Sequence, residues 1–183
     1  MNSSALLQEY FGGMLITSEL AELDDIENGL LDNTYQIGIL NKPTESGELF
    51  CQRFVSEHLY ISVPKTHRHA DKEYVKFEDF SGERFLLFEH IGFWKDFCYN
   101  NLKETNFIIQ NSMESLEELI NATDFPCFTS NAFARTAAHS GSRVVIPIKE
   151  PEAYATFYIA CLNSYKKKYA PFFNSIRSIL IQK

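Results

Sequence analysis

No stretch of this 183-residue chain stays apolar for the length of a membrane span. Its N-terminal MNSSALLQEYFGG has neither a basic n-region nor a long apolar h-region. The expectation is therefore a cytoplasmic protein with no membrane partner. Basic charge is also scarce: 17 Lys and Arg stand against 24 Asp and Glu, a formal net charge of -7. Broad attraction to phosphate backbones or anionic lipid is excluded. Cys51, Cys98, Cys127 and Cys161 form no C-x-x-C pair. Scattered thiols of this kind read as small buried hydrophobes rather than disulfides or ligands. No G-x-S-x-G elbow, Walker phosphate loop, H-E-x-x-H helix, internal repeat or low-complexity tract occurs, so no cofactor is expected.

What is present is ordinary globular material rich in aromatics: 45% hydrophobic, 22% charged, 16 Phe and 9 Tyr. Ser3 and Ser4 precede a short helical pattern, ALLQEYF, which Gly12-Gly13 ends. MLITSEL reads as a strand, LAELDDIENGLLD as an amphipathic helix closed by Asn33, and TYQIGIL as a buried strand. This start suggests a parallel sheet. After the linker-like NKPTESGE come LFCQRFV and HLYISVP, both extended, then the capped turn FEDFSGE and the strand RFLLFE. GFWKDFCYNNL is an amphipathic helix, NFIIQ a strand, MESLEELINA a helix capped by Asn111-Ser112, and FPCFTSN a strand. A helix over AFARTAAHS and a strand over RVVIPI follow. KEPEA resembles a second linker before YATFYIACL, and YAPFFNSIRSILI forms the last helix.

The sharpest chemical feature is His67-Arg68-His69. A metal site needs three or four converging ligands, and the local supply is only Asp71 and Glu73. The competing reading is that Pro64 ends a strand and a polar turn follows. Glu57-His58, Glu89-His90 and His139-Ser140 are adjacent pairs of a kind common by chance. Lys166, Lys167 and Lys168 read as a solvated helix start. Ser3-Ser4, Ser18-Glu19 and Asn111-Ser112 lie at or near expected helix starts, where amides and a hydroxyl can cap the helix or cradle a carboxylate.

The ordered succession of pieces resembles the effector-binding domain of LysR-type transcriptional regulators. HLYISVP, the turn ending His69-Ala70, FEDFSGE and RFLLFE resemble that family's central run. YQIGIL after Asn33, the segment NSMESLEELINATDFPCFTSNAFAR, and RVVIPIKEP with PFFNSIRSIL resemble its flanks. The resemblance favours the turn over the metal site, so no metal is expected.

It implies an α/β, two-lobed type II periplasmic-binding-protein-like fold with a ligand cleft between lobes. Lobe one would be 1–43 with 156–183, and lobe two 44–155. The implied function is ligand sensing for transcription regulation, without catalysis, by a homodimer. Helix 4–11 (Leu6, Leu7, Tyr10) and helix 93–102 (Phe93, Phe97, Leu102) are the pairing candidates. The implied effector site is Ser3 and Ser4, Ser18 and Glu19, then His90, Ile91 and Phe93, with Thr129 as a further contribution. Its ligand would be an amino acid or small organic acid, with Glu19 favouring one that carries an amine.

The chain departs from the family pattern in three ways. The winged helix-turn-helix is absent, so DNA contact would need a domain outside this chain. Lobe one's first strand is absent too. Thr123, Asp124 and Phe125 replace the family's G-x-G segment. Two alternatives remain on the same fold: a solute-binding protein for transport, and an enzyme resembling an aromatic-pathway dehydratase, for which Thr129 is the candidate.

Overall fold

The computed structural model describes residue 15, residues 17–131 and residues 141–181. The chain divides into two units, Met1–Ser56 with Thr156–Lys183, and Glu57–Ala155.

In the first unit, helix α1 (Leu23–Leu31) places Asp24 and Asp25 in its first turn, where carboxylates complement the helix dipole. Asn33 ends it at φ 68, a left-handed position asparagine tolerates. The Tyr35 N–H then donates back to the Gly29 carbonyl at 2.7 Å. This reversal lays the Tyr35 ring against the helix, where a Cβ on Gly29 would meet it at 2.3 Å. Only glycine leaves that space. Strand β1 (Gly38–Leu40) pairs antiparallel with β7 (Tyr154–Leu162), with Ile39 opposite Ile159. The first unit's described pairing is thus antiparallel where the sequence suggested parallel, because β1 meets a strand from the far end of the chain. The expected strand MLITSEL is also absent in its described residues, 15 and 17–20, which are irregular and exposed. A strand needs a neighbouring edge to take its hydrogen bonds, and none of the described pairings involves this segment.

Two apolar clusters hold the unit together. Leu30, Leu40, Leu49 and Ala160 form one, with Leu23, Ile26 and Tyr35 packed against it. Ile159, Cys161, Tyr169, Phe172 and Phe173 form the other, with Phe50 and Phe54 at its margin. The aromatic residues of the second come from helix α4 (Lys166–Ile181). Its lysine-rich start runs against the helix dipole. Lys166 lies over the Phe50 ring at 4.2 Å and Lys168 over Tyr169 at 5.2 Å, contacts that offset the repulsion.

LFCQRFV and HLYISVP form one continuous strand, β2 (Leu49–Pro64), which begins in the first unit and ends in the second. In the second unit, β3 (Arg84–Phe88), helix α2 (Trp94–Asn101), β4 (Asn106–Gln110), helix α3 (Met113–Ala122) and β5 (Cys127–Ser130) follow in turn. β3 pairs parallel with β4 and with β5, while β2 pairs antiparallel with β5 and with β6 (Arg143–Pro147). The strand order within this unit is β6-β2-β5-β3-β4. β3 is interior, flanked by β5 and β4, and Phe85, Leu86 and Leu87 are all buried, the unbroken apolar run expected of a strand covered on both faces.

Ser112 caps α3, its hydroxyl accepting the Ser115 N–H at 3.1 Å. At the other end of α3, the buried Arg143 guanidinium donates to the Ile120, Thr123, Phe125 and Ser62 carbonyls. Its Nε donates to the Ser62 hydroxyl at 3.2 Å. These partners are neutral oxygens, so Arg143 works as a fixed fork of donors that ties α3 and the strand after it to β2.

Candidate functional site

A parallel sheet offers a binding crevice where neighbouring strands send their connections in opposite directions, beyond their C-terminal ends. In the second unit that place lies between β3 and β5. The connection after β3 leads to β4 on one side, and β5 lies on the other. Residues 89–93 leave the end of β3, and Ser130 and Asn131 stand at the end of β5. The antiparallel β2 brings Glu57 and His58 to the same end, since Leu59 pairs with Ser130.

The side chains there are joined through Glu57. One carboxylate oxygen accepts the Trp94 indole N–H at 3.0 Å, and the other accepts the Ser130 hydroxyl. The chain's one tryptophan, 4% exposed at the start of α2, is thereby fixed to the end of β5. Asn131 adds a second tie, its Oδ1 accepting the His58 backbone N–H at 2.9 Å. His58 itself points away from Glu57, as neighbours on a strand must. Its Nε2–H donates to the Ile148 carbonyl at 2.9 Å while its ring stacks on Tyr154, centroids 3.6 Å apart. Glu57-His58 is therefore not an acid–base pair.

Three of the expected effector residues, His90, Ile91 and Phe93, sit together on the loop after β3. Gly92 turns that loop at φ 61. His90 is exposed and meets the Phe88 ring edge-on, and Phe93 is 47% exposed with its ring edge-on to Trp94. Thr129 is buried one residue before Ser130. By strand alternation it shares the sheet face of Cys127, which packs against α3, and Ser130 shares the face of Phe128.

Ser18 and Glu19 are exposed in the irregular segment ahead of α1. The N-cap of that helix is Glu22, so neither residue caps it. Glu19 instead accepts the Tyr35 hydroxyl, and this bond raises the phenol's pKa above its ordinary value. Ser3, Ser4 and the pairing helix 4–11 lie outside the described residues, as does His139. Of the other pairing helix, Leu102 is 3% exposed inside the unit, and Phe97 packs edge-on against Phe77 and Trp94. Phe93 alone of the three is exposed.

Sequence reasoning passed over Trp94 and weighed Glu57 only as the neighbour of His58. The available signal was a lone acid opening an apolar extended run and a tryptophan at a helix start, whose N–H needs an acceptor once buried.

His67-Arg68-His69 lies in a series of turns after β2. The His67 Nδ1 accepts the His69 backbone N–H at 3.2 Å, which leaves its Nε2–H to donate to Glu83 at 3.1 Å. Arg68 reaches the other Glu83 oxygen at 2.5 Å, and both imidazoles pack on Phe80. The rings staple a turn to the core. Among the described residues, no three His, Cys, Asp or Glu side chains converge as a metal set. Nor is any described helix long and apolar enough to cross a membrane.

Comparison with known proteins places this geometry in a family. Residues 5–173 match the LysR substrate binding domain. No curated protein matches the chain by sequence. Among solved structures, the reduced OxyR regulatory domain from Pseudomonas aeruginosa superposes with a TM-score of 0.69 at 17% identity, covering 95% of this chain and 88% of that one. The Synechocystis PCC6803 CcmR regulatory domain, solved in complex with 2-PG, gives 0.67 at 17% identity, covering 96% and 89%. A full-length BenM variant gives 0.71 at 15% identity, and this chain, 98% covered, spans 63% of it. These likenesses show the α/β, periplasmic-binding-protein-like fold. The match over residues 5–173 leaves no room within these 183 residues for a winged helix-turn-helix. The chain belongs to the LysR substrate-binding domain family.

Proposed function

We propose that this chain is the ligand-sensing domain of a LysR-type transcription regulator, taking up a small polar metabolite between its lobes and signalling through the arrangement of a cytoplasmic homodimer. In this reading lobe one is 1–43 with 156–183 and lobe two is 44–155, and DNA is contacted only by a winged helix outside these residues. The observation that carries it is the tied crevice at the ends of β3 and β5, in a chain matched to this family over residues 5–173. Trp94 and Ser130 hold the crevice walls through Glu57, while the neighbouring Phe93 and Ile91 offer apolar surface and His90 a polar group. Such a mixture of apolar wall and few polar groups suits a small ligand. Ser3, Ser4, Ser18, Glu19 and Thr129 complete the proposed site.

Glu19 and Glu57 both bring negative charge, which opposes a simple carboxylate ligand and favours one that also carries an amine. An amino acid or other zwitterion is the leading class, ahead of a plain organic acid. Calorimetry against amino acids and organic acids tests this, repeated with Phe93→Ala and Ser18→Ala. The expected result is a zwitterionic hit weakened in both variants. A ligand held equally well by both would move the site elsewhere.

A further inference from the structure

The loop that carries His90, Ile91 and Phe93 is held from outside itself. At its start the Glu89 N–H donates to the Gln110 carbonyl of β4 at 2.8 Å. At its end the Lys95 N–H donates to the Gly92 carbonyl at 3.0 Å, which closes the loop on itself. The described pairing of β3 with β5 is at Leu86 and Cys127, well before the loop begins. Toward β2 and β5 the loop is tied through Trp94, whose indole N–H donates to Glu57 at 3.0 Å.

The far end of that tie is firm. Next to Glu57 on β2, His58 is bonded to the end of β5 twice. The Asn131 N–H donates to the His58 carbonyl at 3.2 Å, and the His58 N–H to Asn131 Oδ1 at 2.9 Å. The second Glu57 oxygen takes the Ser130 hydroxyl. Trp94 and Ser130 are 4% and 3% exposed, so removing Glu57 strips an acceptor from two buried groups. A carboxylate suits the position because it accepts through both oxygens and brings no donor of its own. Ring contacts extend the tie to its neighbours: Trp94 meets Phe93 edge-on with centroids 5.1 Å apart, and Phe97 at 5.7 Å.

We propose that Glu57 is the positioning residue of the effector loop, and that through Trp94 it sets where His90, Ile91 and Phe93 stand relative to the end of β5. The carboxylate acts through the indole and needs no contact with the ligand. Binding residues locked by neighbouring hydrogen bonds lose less free energy to ordering when a ligand arrives. This role takes from the effector reading only that residues 89–93 line the site. It is tested without ligand, so either can fail alone.

The chain's one tryptophan supplies the signal. The indole N–H proton resonance, backbone order parameters and amide hydrogen exchange are followed by NMR in the full chain and its variants. Glu57→Met has similar reach but no oxygen. In it the indole proton is expected to move upfield, and the order parameters of residues 90–93 to fall from about 0.85 towards about 0.6. The Lys95 amide should exchange at least about tenfold faster. Glu57→Gln keeps one oxygen for Trp94 and should restore most of this order. Arg143→Lys lowers stability from the far end of α3. It should speed exchange in β3 but leave residues 90–95 and the indole proton as they were. Trp94→Phe keeps a ring without the N–H and should loosen Lys95 as Glu57→Met does, so the answer does not depend on one variant folding. A loop that stays ordered in either of these two variants would overturn the proposal. So would the same loosening in Arg143→Lys, since Glu57 would then matter only through overall stability.

Discussion

Glu19 and Glu57 are carboxylates near proposed effector positions, one in each unit, and their settings differ. Glu57 is half-buried midway along a long strand and holds two donors from two other elements, Trp94 and Ser130. Glu19 is exposed in an irregular segment and holds one donor, the Tyr35 phenol. The second unit has its candidate residues on the ends of strands that core packing locates. Of the first unit's candidates, Ser18 and Glu19 are exposed in an irregular segment whose described side-chain tie is the bond from Tyr35 to Glu19.

The largest expected effect comes from removing what makes the second unit rigid. Arg143→Met would strand four carbonyls that now receive the guanidinium, and would release α3 from β2. The expected loss is about 3–5 kcal/mol of unfolding free energy in urea, since each buried carbonyl left unpaired costs about 1–3 kcal/mol. Arg143→Lys keeps the charge but not the fork, and should recover less than half. A loss below about 1 kcal/mol would mean that water replaces the arginine, and the claimed contrast in rigidity would fail.

The first unit has one feature as demanding, the reversal after α1. Gly29→Ala places a methyl against the Cδ2–Cε2 edge of the Tyr35 ring, so the ring or the helix must move. Helix propensity favours alanine by about 1 kcal/mol, while overpacking of this kind costs about 1–3 kcal/mol. The net expectation is a modest destabilisation, read as a lower urea midpoint with unchanged slope. A stabilised variant would show that Tyr35 swings free, which would leave Glu19 without its anchor.

These two positions also show where the sequence was legible. Strands and helices of the second unit follow from apolar runs, caps and turns whose partners lie close by: RFLLFE, NFIIQ and MESLEELINA fold as their patterns indicate. In the first unit the pattern misleads, because pairing is decided by a strand more than a hundred residues away. MLITSEL has the composition of a strand but no described partner, and YQIGIL meets β7 antiparallel. His90, Ile91 and Phe93, named from the family resemblance, follow a recognisable strand and share its loop. The part Glu57 plays was not legible, because it depends on Trp94 and Ser130 arriving from distant elements. Thr129 and Ser130 are adjacent in sequence, yet the pleat sends their side chains to opposite faces. Arg143 gave no local signal at all.

Thiol chemistry separates the units less sharply. Burial pushes the Cys98 and Cys127 thiols up, and holds Cys161 up at about 11 despite the Lys166 ammonium nearby. Only Cys51 is partly exposed. A disulfide exchange reagent should therefore modify Cys51 first, with the other three following only on unfolding. The raised thiols also make stability depend on pH. The unfolded chain releases these protons near the ordinary value of 9.0, whereas folded Cys161 keeps its proton to about 11. Between those values the unfolded state binds fewer protons, so stability falls as pH rises. Below pH 9 this contribution is fully present. Cys161→Ala should flatten the fall, and an unchanged alkaline profile would rule the thiol out as its cause.

The smallest effect is that of Glu19→Gln, read directly against Glu57→Gln. Glu57→Gln removes a charge that now accepts from Trp94 and Ser130, and it should lower stability by about 1–3 kcal/mol, the cost of weakening bonds to a charged acceptor. Glu19→Gln should leave the unfolding midpoint where it was, because the residue is exposed and its one bond lies in water. The change belongs to Tyr35. Its phenol is raised above 10.0 first by the hydrogen bond to Glu19, then by burial and by the charges of Glu19, Asp25 and Asp32. Removing the carboxylate should let Tyr35 ionise at lower pH, which NMR of the ring resonances follows residue by residue. The wild-type bond favours the protonated phenol, so its contribution is present below the unfolded value and fades as pH rises through the folded one. If Glu19→Gln costs as much as Glu57→Gln, the segment before α1 is as firmly fixed as the strand ends.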